Sequence, residues 1–222
     1  MTPPPKYPRV PHLVSRSSMD ADDRVLDATG RACLLEVHVV VEEKLDGANV
    51  AVWFEAGVPR VATRGGPDTV DRGGHRGRLR AWVAEHADNL RAGLGEDLVL
   101  YGEWMLARHQ VRYARLPSPL IGLDVRDRRS NDFLVLSARD HVLEVAGVSA
   151  PPRIFEGVLG GVSSAEHLIG VSAYGDEQAE GIVIRAGQSS SCAPRIAKLI
   201  APEWTAAPDA DWSVDENTVL AG

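Results

Sequence analysis

The sequence predicts an α+β protein, and three observations carry that prediction. Short runs of β-branched and aromatic residues recur along the chain. Helical spacing of apolar residues appears in only a few places. The two kinds of segment do not alternate as regular βαβ units would. Residues 35–41 are apolar and β-branched and predict a strand, which residues 42–47 interrupt. Residues 49–55 and 58–63 predict two more strands, joined at Ala56-Gly57. Leu79, Trp82, Val83, His86 and Leu90 fall at helical spacing, so one helix is expected over residues 78–94. Strands are expected at residues 97–105 and 120–125. Ser137 is expected to cap a helix reaching residue 145. Ser163 and Glu166 read as a capping box for a helix reaching residue 172. Residues 181–185 and 195–200 predict the last two strands, separated by a loop.

The 222 residues suffice for one sizeable core. Hydrophobic residues make up 44% and charged residues 25%, as in an ordinary soluble globular protein. Residues 1–16 hold five prolines and read as an N-terminal arm. Residues 17–205 read as one catalytic-size domain, and residues 206–222 as a short tail. No apolar run is long enough to span a bilayer, so no membrane partner is expected. Cys33 and Cys192 lie far apart with no CxxC pairing, and are expected to be unpaired thiols in a cytoplasmic protein.

The net charge of −7 argues against a nonspecific nucleic-acid binder. Basic residues nevertheless cluster. Six arginines lie between Arg60 and Arg80, and Arg108, Arg112 and Arg115 form a second group. Of the 24 basic residues only Lys6, Lys44 and Lys198 are lysine. Arginine stays protonated and offers no lone pair, whereas a desolvated lysine can act as a nucleophile. The scarce lysines therefore merit scrutiny.

No phosphate-binding Gly-x-x-x-x-Gly-Lys-Ser/Thr loop is present, and no Gly-x-Gly-x-x-Gly follows a strand. Five other elements occur in order. They are Glu43-Lys44-Leu45-Asp46-Gly47-Ala48-Asn49, Thr63-Arg64-Gly65-Gly66, Tyr101-Gly102-Glu103-Trp104, Glu180-Gly181-Ile182-Val183-Ile184-Arg185 and Ala197-Lys198-Leu199-Ile200. By itself the first reads as a hairpin with an Asp-Gly turn. As a set they resemble the ordered motifs of the covalent nucleotidyltransferases, which comprise DNA ligases, RNA ligases and mRNA capping enzymes. Asn49 and the segment 102–127 resemble the ATP-dependent RNA ligase version.

That resemblance implies a ligase-adenylation core of two antiparallel sheets flanked by helices. It implies that Lys44 accepts AMP from ATP, with Mg²⁺ or Mn²⁺ as cofactor. Lys198 and Arg64 are then expected at the phosphate, and Glu103 at the ribose. Glu43 and Asn49 are expected beside the nucleotide, Leu123 and Ile182 at the adenine, and Glu180 and Asp46 at the metal. The implied partners are RNA ends, a 5′-phosphate and a 3′-hydroxyl. The chain departs from the pattern at Leu123, where relatives place an aromatic, and at Ile200, where many have a second lysine. It leaves no room for the appended OB or helical domain of many ligases, so a partner protein is expected in that role. Alternatives from the residues are a relative acting on DNA nicks or another acceptor, and a non-catalytic nucleotide or RNA binder.

Overall fold

The structure is a computed structural model, and it describes residues 4–17, 19, 21–63, 66–67, 74–187, 195–205 and 215–220. The first elements are α1 (Ala28–Glu36), β1 (His38–Lys44), β2 (Ala48–Glu55), β3 (Val58–Thr63) and the short β4 (Gly66–Pro67). Then come α2 (Gly74–Glu85), α3 (Ala87–Leu94), β5 (Leu98–Trp104) and β6 (Leu120–Asp127). The chain continues through α4 (Leu136–Val145), β7 (Arg153–Val158), α5 (Val162–Glu166), β8 (Gly181–Ala186) and β9 (Ile196–Ile200).

The strands form two sheets, with orders β7-β1-β8-β9 and β4-β3-β2-β5-β6. Every pairing between named strands is antiparallel. The α+β fold class therefore stands as expected. Side-chain alternation gives each sheet two faces. In the first sheet, Val39, Val41, Ile182, Ile184, Ala197 and Leu199 point to a core shared with Leu34 and Leu35 of α1. In the second, Val50, Val52, Phe54 and Leu100 point to a core shared with Leu79, Leu90 and Leu143 of the helices. The opposite faces carry the polar residues described below.

Several boundaries differ from the sequence expectation. Leu35 belongs to α1, which Asp27 starts by accepting a hydrogen bond from the Gly30 amide at 2.7 Å. The strand that follows begins at His38 and runs on to Lys44. The single helix expected over 78–94 is two, because His86 breaks it. Its backbone leaves helical geometry, and its Nδ1 donates to the Trp82 carbonyl at 2.8 Å while its ring stacks on Trp82. Ser163 lies inside α5 rather than capping it, and α5 ends at Glu166. Strand β7 was not expected from the sequence. Its Gly157 and alternating charges give a weak strand signal, and pairing with β1 decides its conformation.

Both ends of the described chain are built into the fold. Residues 11–13 form a parallel bridge to β9, with the Lys198 amide donating to Pro11 at 2.9 Å and the Leu13 amide to Lys198 at 2.8 Å. Asn217 is buried and accepts a bond from the Tyr113 amide at 2.9 Å. Cys33 is disulfide-bonded, which corrects the expectation of two unpaired thiols. Separation along the chain gives no spacing signal for such a bond. Among the described residues no helix is long and apolar enough to cross a membrane.

Candidate active site

Residues that alternate to the polar faces of both sheets line a cavity of about 270 Å³. From the first sheet come Glu42 and Lys44 of β1, Val183 and Arg185 of β8, and Lys198 of β9. The ladders explain this grouping. Val183 is the rung partner of both Glu42 and Lys198, and Lys44 pairs with Gly181. Directly opposed residues share a face, so three strands deliver their side chains to one surface. From the second sheet come Asn49 of β2, Glu103 of β5 and Leu123 of β6.

Two glycines allow close approaches that the site requires. A Cβ on Gly47 would lie 2.8 Å from the Trp104 carbonyl and 2.9 Å from Glu103. Glycine here lets the β1–β2 link fold against the strand carrying Glu103. A Cβ on Gly181 would lie 2.2 Å from the Leu199 carbonyl, so only glycine fits beside Glu180 at that rung.

Lys44 Nζ donates to Glu180 at 2.5 Å. Burial opposes a charged lysine, but the Glu180 carboxylate outweighs it and raises the Lys44 pKa. Burial also pushes the Glu180 carboxyl up, against the pull of Lys44. Lys198 differs: burial lowers its pKa despite nearby Asp23. Glu103 is pushed up to about 7 by burial, with Lys44 pulling it back. Asn49 Nδ2 donates to the Gly102 carbonyl at 3.4 Å, behind Glu103.

Most expected site residues meet in this cavity: Glu43, Lys44, Asn49, Glu103, Leu123, Glu180 and Lys198 all line it. Glu43 has its carboxylate committed elsewhere, accepting from Ser172 Oγ at 2.6 Å and the Ala173 amide at 2.9 Å. Two expected residues, Ile182 and Asp46, do not line it. Ile182 is buried in the apolar core on the other face of β8, and Val183 takes the cavity wall instead. Within β8, side chains alternate, so Ile182 faces away from the cavity once Val183 and Arg185 face in. Asp46 does not line the cavity. Its Oδ2 accepts from the Gln110 amide at 2.7 Å and the Val111 amide at 2.9 Å, which ties down the 110–113 segment. That oxygen therefore has a structural duty. Arg64 lies outside the described residues.

The sequence reading missed the N-terminal contribution. Tyr7, Arg9, His12 and Asp23 all line the cavity. Asp23 Oδ2 accepts from Lys198 Nζ at 3.2 Å and from His12 Nε2 at 2.8 Å. No local pattern marks these residues, because loop positions acquire their neighbours only through the fold. Arg185, which also lines the cavity, is held by Glu42 at 2.8 Å and by Asp124.

Two facing antiparallel sheets with a lysine–carboxylate pair in the cleft define a nucleotidyltransferase core of the ligase-adenylation type. The chain belongs to the RNA ligase family, whose model matches residues 37–200. Solved structures share the fold. A Naegleria gruberi RNA ligase variant with ATP and Mn aligns at 15% identity and TM-score 0.61, over 88% of this chain and 58% of its own. The same ligase with PPi aligns at 16% identity and TM-score 0.60, over 90% and 61%. The chain thus spans about three fifths of the length of those proteins. A search of curated proteins gives no match.

Proposed function

We propose that the chain is an ATP-dependent RNA ligase core in which Lys44 becomes covalently adenylylated. The observation that carries this reading is the 2.5 Å contact between Lys44 and Glu180 in a cavity that also holds Lys198. An amine, a carboxylate able to take its proton and a second cation stand together. The structural neighbours bound to ATP with Mn, and to PPi, support ATP and a divalent ion for this chain too.

Lys44 starts as an ammonium ion, and Glu180 accepts its proton to free the lone pair. The Lys44 nitrogen then attacks the α-phosphorus in line with the leaving oxygen. A nitrogen–phosphorus bond forms, the bond to pyrophosphate breaks, and the amine's second proton passes to the departing pyrophosphate. Lys198 offsets negative charge on the phosphate. Glu103, which lines the same cavity, meets the ribose. Leu123 and Val183 wall the base on opposite sheets. AMP then passes to an RNA 5′-phosphate, and attack by a 3′-hydroxyl seals the ends and releases AMP.

The residues fit a divalent ion of the magnesium type. Among the described residues there is no cluster of three metal-ligating side chains. Glu180 Oε2 faces Lys44, so its Oε1 would be the one side-chain ligand of an ion that fills its remaining positions with phosphate oxygens and water, as Mg²⁺ prefers. When bound, such an ion neutralises phosphate charge. Intact mass after incubation with ATP and Mg²⁺ tests the proposal. A gain of one AMP that is lost in Lys44→Ala is expected. An unchanged mass, or labelling that persists in Lys44→Ala, rejects it.

A further inference from the structure

The family match begins at residue 37, yet one wall of the cavity comes from residues before it. Three donors converge there on the Asp23 carboxylate: His12 Nε2 at 2.8 Å, Lys198 Nζ at 3.2 Å and Arg9 Nη1 at 3.4 Å. The Asp23 side chain is 8% exposed and that of His12 is 2% exposed. The backbone fixes all three positions. Residues 11–13 bond to β9 on one side. On the other, the His12 amide donates to Arg24 at 2.7 Å and the Leu26 amide donates to His12 at 2.9 Å. His12 is thus the middle rung between Lys198 and Val25.

His12 is not saturated by these contacts. Its Nε2 serves Asp23, but its buried Nδ1 has no hydrogen-bond partner. Buried polar atoms kept only for packing are nearly always paired. An orphan nitrogen at the edge of a ligand-sized cavity points to a role there instead.

We propose that His12 and Asp23 are a positioning pair for Lys198. The anchored carboxylate fixes the lysine ammonium group against the cavity wall, and His12 fixes the carboxylate. This rests on the reading of Lys198 as the phosphate-binding lysine. A lysine side chain has four rotatable bonds, and ordering it before the nucleotide arrives removes that entropy from the reaction. The pair also opposes the loss of charge that burial imposes. Burial and the like charge of Lys44 both disfavour the Lys198 ammonium, while Asp23 and Glu180 favour it. Asp23 itself is pushed up by burial, but His12 and Lys198 pull it down to about 2, so it is ionised wherever Lys198 matters.

The scarcity of lysine makes the test direct. In uniformly ¹³C-labelled full-length protein, Lys6, Lys44 and Lys198 are the only sources of lysine Cε signals. Lys6→Arg and Lys44→Arg assign them. In Asp23→Asn the Lys198 titration midpoint is expected to fall by about one unit, a tenfold loss of proton affinity. The Lys6 midpoint should not move. At saturating ATP the same variant should form lysyl-AMP at least about tenfold more slowly, and Asp23→Glu should recover part of the rate. His12→Gln should move both readouts the same way, and it serves if Asp23→Asn does not fold. An unmoved Lys198 midpoint in a folded variant, or adenylylation at the wild-type rate, overturns the proposal. If the wild type takes up no AMP, the ligase reading fails, while the titration still decides whether the pair holds Lys198.

Discussion

Arg185 on β8 reaches across the cleft to Asp124 on β6, with Nη1 2.9 and 3.0 Å from the two carboxylate oxygens. The contact joins the two sheets at a point where apolar packing gives way to the cavity. Arg185 also donates to Glu42 at 2.8 Å, and Arg139 grips Glu42 at 2.6 and 3.1 Å. The Tyr7 hydroxyl donates to Asp124 from the N-terminal arm. Arg139 and Glu42 are at most 1% exposed. Arg139 also donates to Asp140, which pairs with Arg153, so three guanidinium groups face three carboxylates in one network.

Cutting one member of such a cluster leaves its partners buried and uncompensated. Arg185→Ala is expected to destabilise the fold by about 3–5 kcal/mol. Asp124→Ala should act in the same direction, and the double variant should cost less than the sum of the two, because the partners are coupled. Urea denaturation of the three variants measures this. Additive losses, or a loss under about 1 kcal/mol for Arg185→Ala, would mean the cluster does not hold the sheets together.

The sequence made the strands of the site legible because alternation and ordered motifs are local signals. Residues 49–55 and 58–63 read correctly, and Lys44, Glu103, Glu180 and Lys198 were placed together from their motifs. What escaped was set by tertiary packing. Ile182 and Val183 are both apolar, so only the pairing of β8 shows which one faces the cavity. Asp46 has the residue type of a metal ligand, and only the fold of the 110–113 segment reveals that its Oδ2 is engaged by backbone amides. His12 and Asp23 sit in loops whose neighbours come from β9, some 175 residues away.

Lys44→Arg and Lys44→Ala should both be unable to form the AMP adduct. Arginine keeps the charge opposite Glu180 but cannot release a lone pair near neutral pH. Peptide mapping after incubation with ATP and a divalent ion reads the outcome. An adduct on any residue other than Lys44 would remove the assignment.

Glu180→Gln and Lys198→Ala should each slow adenylylation by about 100-fold or more. Glu180→Gln removes the proton acceptor at 2.5 Å from Lys44. Lys198→Ala removes the second cation. Single-turnover labelling at saturating ATP checks both. Wild-type rates in either variant would show that these motifs have other duties.

Glu103 gives the stability a pH dependence of definite sign. Its carboxyl is raised from 4.5 to about 7 in the folded protein, chiefly by burial. Between those values the folded state holds a proton that the unfolded chain has released. Stability should therefore fall as pH rises through that window, and level off above it. The contribution is on the order of 3 kcal/mol at most. Glu103→Gln should flatten this part of the profile and be the more stable protein above pH ~7. Thermal melts of both proteins between about pH 4.5 and 8 test it. Parallel profiles would mean that Glu103 ionises normally.

Joining RNA ends makes a separate demand, because phosphates must be held outside the nucleotide pocket. Three arginines suited to this are engaged with carboxylates. Arg115 Nη1 lies 2.9 Å from Asp176, Arg108 lies 3.8 Å from Glu177, and Arg78 pairs with Glu216. All are surface pairs, worth little to stability and easily exchanged. An RNA phosphate arriving at Arg108 or Arg115 must compete with Asp176 and Glu177, which weakens binding and makes it salt-sensitive. Glu177→Gln should therefore tighten RNA binding and quicken joining of a pre-adenylylated strand at low salt. Arg108→Ala with Arg115→Ala should weaken both, and reduce the slope of log affinity against log salt by about 0.7 for each single-strand phosphate that is no longer neutralised. Lysyl-AMP formation, which uses only the cavity, should change in neither variant. Joining that ignores salt and all three substitutions would place the RNA on another face of the protein.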